Sequence, residues 1–120
     1  MLTIVRSNRF LKDLRLAKKR GLDLTLLEEV VDKLANQEAL DPKYHDHPLT
    51  GEYRDFRECH VKPDWLLVYC VDDEELELFL FRTGTHSDLF DWRAYRGCGS
   101  FLERRSYIDA QDFSENKFPL

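Results

Sequence analysis

No apolar run in the sequence approaches the ~18 residues that a membrane-spanning helix needs. The N-terminal stretch MLTIVRSNRF lacks the apolar core and small-residue cleavage site of a secretory signal, so the chain is expected to stay in the cytoplasm. Cysteine is sparse. Cys59, Cys70 and Cys98 are odd in number and form no Cys-x-x-Cys pair, which predicts reduced, incidental thiols rather than a redox or zinc centre. A basic excess is also missing. With 18 Lys and Arg against 23 Asp and Glu, the net charge is −5 and the pI near 5.3, which speaks against a non-specific nucleic-acid binder. What remains is a chain of 120 residues, 42% apolar and 34% charged, suited to one globular domain and not to a mainly disordered one.

The charge is unevenly spread. Arg6, Arg9, Lys12, Arg15, Lys18, Lys19 and Arg20 face a single acid, Asp13, so residues 6–20 carry +6 and the rest carries −11. Leu2-Thr3-Ile4-Val5 reads as a short strand. Ser7 can cap a helix running to about Arg20, with Gly21 as its stop and Phe10, Leu14 and Ala17 as its core stripe. Asp23 can cap a second helix to about Gln37, burying Leu27, Val30, Val31 and Leu34. Two short helices so closely joined suggest an antiparallel hairpin. Residues 41–51 form a polar loop, followed by three strands over 53–61, 64–71 and 76–82 and a brief helix from Ser87 to about Phe90. The order β-α-α-β-β-β-(α) predicts an α+β fold: a small antiparallel sheet with two N-terminal helices on one face. Residues 91–120 show no sustained periodicity and are read as an extension to a domain spanning 1–90.

Hairpin geometry gathers the chemistry. Pairing Val71 with Leu76 across the acidic turn sets Trp65 opposite Arg82, and a turn over 61–64 sets His60 opposite Trp65. His60, Trp65 and Arg82 then form one row, with Asp64 in the turn and His86 just beyond the last strand at the same end. The row exists only in that register, because a one-residue slip turns each side chain to the other face. This set suits attack of a ribose 2′-OH on its neighbouring phosphate. Histidine serves as base or acid near neutral pH, arginine answers the charge growing on phosphorus, and an aromatic ring holds an unpaired base. No metal or cofactor is needed. Each residue also has a plain explanation: a surface histidine, a core tryptophan, an arginine paired to a carboxylate, a solvated basic helix face. A metal site from His45, His47, His60, Cys59 and Cys70 is weaker still, since Cys59 and His60 point to opposite faces of a strand.

The blocks His45-Asp46-His47-Pro48-Leu49, His60-Val61-Lys62-Pro63-Asp64-Trp65 and Arg82-Thr83-Gly84-Thr85-His86-Ser87-Asp88-Leu89-Phe90 resemble, in order and spacing, the YafQ branch of the RelE/ParE toxin superfamily. The resemblance covers about residues 1–90. It implies a bacterial type II toxin, an endoribonuclease that cleaves messenger RNA in the ribosomal A site, neutralised by a DinJ-like antitoxin and meeting operator DNA only through that complex. It also implies catalytic roles for His47, His60, Asp64, Arg82 and His86, with Trp65 and Phe90 positioning the nucleotide. Arg82 would meet the phosphorane charge and His86 would be the general acid, while His60, Asp64 and His47 share base and positioning work. Of these, only His47 is not gathered by topology, which puts it toward the opposite end. The basic face of Arg9, Lys12, Arg15, Lys18 and Lys19 is expected to meet RNA, ribosome or antitoxin. The alternative is a non-catalytic toxin-fold binding module acting through its antitoxin and an operator-binding complex, because superfamily members differ in target.

Overall fold

Ser7 both ends the first strand and starts the first helix. In a computed structural model of the chain, which describes residues 1–49 and 55–89 and the backbone of 113–114, its hydroxyl accepts from the Phe10 amide (3.0 Å) and donates to the Phe81 carbonyl (2.8 Å). One side chain thus caps α1 (Asn8–Lys19) and ties it to the sheet. Phe10, Leu14 and Ala17 are its buried stripe. Gly21 stops the helix with φ +77°, its amide on the Lys18 carbonyl and the Leu22 amide on the Ala17 carbonyl, the paired bonds of a Schellman ending. Asp23 then caps α2 (Leu24–Ala35) through the Thr25 amide (3.0 Å).

The polar segment after α2 is more ordered than a loop. It holds a short 3₁₀ helix (Pro42–Tyr44) and an edge strand, β2 (His47–Pro48). β3 (Arg57–Lys62), β4 (Trp65–Asp72) and β5 (Glu77–Gly84) follow. With β1 (Thr3–Ser7) and a two-residue β6 (Phe113–Ser114), they form a sheet in the order β2-β3-β4-β5-β1-β6. The fold is the expected α+β arrangement, but β1 runs parallel to β5, Thr3 beside Glu77 and Arg6 beside Leu80. Both helices, the connecting segment and strands β2 to β4 lie between β1 and its partner, a separation that local pattern does not read. Residues 85–89 also differ from expectation. They make a single turn closed by the Leu89 amide on the Thr85 carbonyl (3.1 Å), not a helix; Phe90 and nearly all of 91–120 lie outside the described residues.

Trp65 to Cys70 are buried without a break. Trp65, Leu67 and Tyr69 pack with Phe10, Leu14 and Leu27 of the helices; Leu66, Val68 and Cys70 pack with Val5, Phe79 and Phe81 on the opposite face. A strand covered on both faces needs this continuous apolar run, each fully buried Leu or Val contributing about 1.5–3 kcal/mol. Burial also pushes the thiols of Cys59 and Cys70 up, the latter to about 12, which keeps them protonated.

The registers correct the expected row. The Asp72 carboxylate accepts from the amides of Glu74 and Glu75 (3.0 and 3.1 Å), and Leu76 adopts φ +54°, so the loop occupies 73–76 and Asp72 pairs with Glu77. A bulge beside Val68 and Tyr69 adds a further residue, leaving Arg82 opposite Val68. On the other side of β4 the turn is Pro63-Asp64, with an irregularity between His60 and Lys62, and His60 stands opposite Leu66. His60, Trp65 and Arg82 therefore do not share a row.

Candidate active site

Three of the expected residues meet at the end of the sheet where the β3–β4 turn faces the exit from β5. Asp64 Oδ1 accepts from the His86 backbone amide (3.1 Å) and from His86 Nδ1–H (2.6 Å). Those two bonds hold the Asp64 carboxyl below the usual carboxylate range. They also fix the His86 tautomer, with the proton on Nδ1 and Nε2 left on an exposed ring. The His60 ring lies 5.7 Å from that of His86, centroid to centroid, in an edge-to-face arrangement. On its other side His60 meets His45 at 5.5 Å. Three imidazoles thus follow one another along an exposed rim, His45–His60–His86, with Asp64 at one end.

His47 comes closer than topology alone suggests, because the chain doubles back between Leu49 and Phe56 and lays β2 against β3. It stands opposite Glu58. Its Nδ1–H donates to the His45 carbonyl (2.6 Å), and its Nε2 lies 3.9 Å from a Glu58 carboxylate oxygen. His45 itself was missed as a candidate for this rim. The signal was the pattern His-x-His after Pro42, where a 3₁₀ turn ending in a left-handed residue (His45, φ +49°) throws the first histidine towards β3. Asp46, between the two, is anchored by Tyr69 Oη–H and by Arg57, whose Nη2 reaches it at 3.3 Å. A buried tyrosine hydroxyl in a core strand needs an acceptor, and this one pins the histidine-bearing segment over the sheet.

Two expected residues are turned inward. Trp65 is 2% exposed, and its indole N–H donates to Thr83 Oγ1 (2.9 Å). It is a core residue in this structure and presents no face to a base, a correction to the stacking role. Arg82 is equally committed. Its Nε and Nη2 donate to the Asp13 carboxylate (2.7 and 3.2 Å), with side-chain exposures of 8% and 11% for the pair. Asp13 also accepts from the Thr83 amide (3.1 Å). Nη2 also reaches the Asp88 carbonyl (3.5 Å), so of the three guanidinium nitrogens Nη1 is the one with no bond to the described residues. Asp13, the lone acid of a basic helix, was the sign: it lies one turn from Phe10, beside the buried stripe.

The rest of Thr83–Leu89 is folded back on itself around Asp88. Thr85 N–H donates to Asp88 Oδ2 (2.9 Å), Asp88 N–H to Thr85 Oγ1 (3.1 Å), and Arg20 grips the Asp88 carboxylate from the end of α1 at 2.6 and 3.1 Å. These contacts, the Arg20 bond foremost, hold the Asp88 carboxyl at about 2. Gly84 is required by this folding back, since a Cβ there would lie 2.9 Å from both Cβ and Oδ2 of Asp88. Gly84→Ala is expected to destabilise by about 1–3 kcal/mol, the cost of overpacking, and to lower activity by displacing His86; urea titration and cleavage assays measure the two effects. Among the described residues, no three His, Cys, Asp or Glu side chains are placed to hold a metal ion, and no helix is long and apolar enough to cross a membrane.

The sequence model for the bacterial toxin of type II toxin–antitoxin systems, YafQ, matches residues 2–91. The chain belongs to this toxin family. It is 41% identical over 85 residues to the mRNA interferase toxin YafQ of Escherichia coli K12, across 70% of this chain and 90% of that protein. A metal-bound toxin from Helicobacter pylori, 57% identical, superimposes with a TM-score of 0.72 over 75% of this chain and all of that one. The E. coli DinJ–YafQ toxin–antitoxin complex matches at 40% identity and a TM-score of 0.68, over 74% of this chain and 97% of the other. As a YafQ-family toxin, the chain has the family's two helices packed on a mostly antiparallel sheet.

Proposed function

We propose that this chain is a ribosome-dependent endoribonuclease of the bacterial cytoplasm that cleaves messenger RNA in the A site and so arrests translation. The observation that carries this reading is the Asp64–His86 pair on the exposed rim, with a second imidazole, His60, one ring away. In the reaction the 2′-OH of one nucleotide loses its proton to a base and attacks the adjoining phosphorus. The 5′-oxygen of the next nucleotide departs with a proton, leaving a 2′,3′-cyclic phosphate and a 5′-hydroxyl. His86, held through Nδ1 by Asp64, delivers that proton from Nε2. His60 acts as base, with His47 Nε2 in support, since its Nδ1–H is committed to a carbonyl. Arg82 meets the phosphorane charge through Nη1, its other edge being held by Asp13. Phe90 remains the candidate for stacking, and Trp65 acts beneath the rim by anchoring Thr83.

A rim this open should align RNA poorly by itself, so free RNA is expected to be cut slowly. The ribosome supplies the alignment, a large part of catalysis when two reacting atoms must be brought in line. Arg9, Lys12, Arg15, Lys18 and Lys19, all exposed on α1, offer phosphate contacts there. The same face suits an acidic segment of a DinJ-like antitoxin, through which alone the toxin would meet operator DNA. The test is induction of the full chain followed by mapping of transcript ends. New 5′-hydroxyl ends inside translated frames, absent from untranslated copies of the same RNA, are expected; growth arrest without such ends would favour a non-catalytic binder.

A further inference from the structure

A cleft of about 850 Å³ opens beside the rim, walled by α2 on one side and by the 3₁₀ helix and the end of β3 on the other. Its size is within the ~300–1,000 Å³ of small-molecule sites, with room for one or two nucleotides. His45 and His60 belong both to the imidazole row and to the cleft, whereas His86 and Asp64 line only the rim. The cleft therefore leaves the row on the side of His60 away from His86. Lys43 and Lys62 stand exposed at its walls, and among the described residues neither makes an ion pair; Glu29 is the one acid in the lining. Its floor is apolar, with Tyr44 nine-tenths buried beneath Lys43, whose Nζ sits 5.1 Å from the ring centroid. Exposed cations beside a largely apolar cleft are what an unpaired nucleic-acid strand requires, charge for its phosphates and apolar surface against its bases, with His45 as the exposed ring at the mouth.

We infer that this cleft binds the messenger RNA on the 5′ side of the scissile phosphate, with Lys43 and Lys62 on its phosphates. The polarity rests on the reading of His86 as the acid. In-line displacement puts the attacking 2′-oxygen and the departing 5′-oxygen on opposite sides of phosphorus, so the base and the acid flank it. With His86 beside the departing group, the nucleotide carrying the 2′-OH lies towards His60 and His45, at the mouth of the cleft. The cyclic-phosphate product is then the one retained, and the 5′-hydroxyl product leaves past His86.

The probes are two short RNAs blocked by 2′-O-methylation at the attacking position, one extended by two nucleotides on the 5′ side and one on the 3′ side. Their affinity for the full chain is measured by fluorescence anisotropy over a range of salt, with wild type and with Lys43→Gln/Lys62→Gln. The 5′-extended RNA is expected to bind more tightly. The double substitution should weaken it on the order of tenfold and lower its salt slope by about 1.4, two contacts at ~0.7 each, while leaving the 3′-extended RNA unchanged. Equal affinity for the two RNAs, equal loss for both, or no measurable binding at low salt would overturn the inference. Loss of ribosome binding with unchanged RNA affinity would assign the lysines to ribosomal RNA instead and overturn it too. Transcript mapping with the wild type tests cleavage separately, so failure of the subsite and failure of the nuclease reading are told apart.

Discussion

His86→Ala is expected to lower ribosome-dependent cleavage by about 10²–10⁴-fold, the usual contribution of a placed general acid, and to abolish growth arrest. The fold should be untouched. The side chain is 57% exposed and its partner Asp64 68% exposed, so removing the imidazole leaves no buried group unsatisfied. Changes at such positions fall within about 0.5 kcal/mol. Asp64→Asn provides the finer measurement. It keeps a side-chain oxygen near Nδ1 but removes the charge facing the ring, so it should reduce the rate less than His86→Ala. A His86→Ala chain that cuts at the wild-type rate, or melts many degrees lower, would contradict the assignment.

The largest expected effect on stability is at Asp13. Its carboxylate carries the Nε and Nη2 protons of Arg82 and the Thr83 amide in a nearly dry site. Asp13→Ala leaves a guanidinium without its counter-charge and should cost about 3–5 kcal/mol, a large share of the ~5–15 kcal/mol that holds a domain. Replacing both members, Asp13→Leu with Arg82→Met, removes the stranded charge and should recover much of that loss in urea denaturation. The pair then separates two roles for Arg82. If its Nη1 answers the phosphorane charge, the double variant is folded and inactive. If Arg82 only ties α1 to β5, the double variant recovers activity along with stability.

Cap chemistry is local, and for that reason the helix starts at Ser7 and Asp23 and the stop at Gly21 were readable from their neighbours alone. Strand existence was equally legible, because Trp65–Cys70 has only one sensible place in a small domain. Register was not. It depended on Asp72 taking the amides of Glu74 and Glu75, on Leu76 accepting a left-handed conformation, and on a bulge next to Val68. None of these has a strong composition signal, yet together they turn Arg82 towards Asp13 and leave Trp65 with Thr83. Which strand ends meet was legible, since an antiparallel hairpin must bring Asp64 and the exit of β5 together whatever the register. The family blocks named Arg82 and Trp65 without saying which way they point; hydrogen-bond partners far along the chain decide that, as Asp13 does for Arg82. His45 shows the converse, a residue brought to the rim by one left-handed turn.

The parallel pairing of β1 with β5 has a consequence for the cell that makes this protein. The strand that begins the domain stays unpaired in the emerging chain until Glu77–Leu80 has been synthesised and released, and His86 is translated only after that partner strand. Long-range pairing of this kind is slow and comes late in folding. The sheet therefore cannot close around β1 until residues 77–80 have left the ribosome, which leaves an interval in synthesis when most of the domain exists but its first strand has no partner in β5.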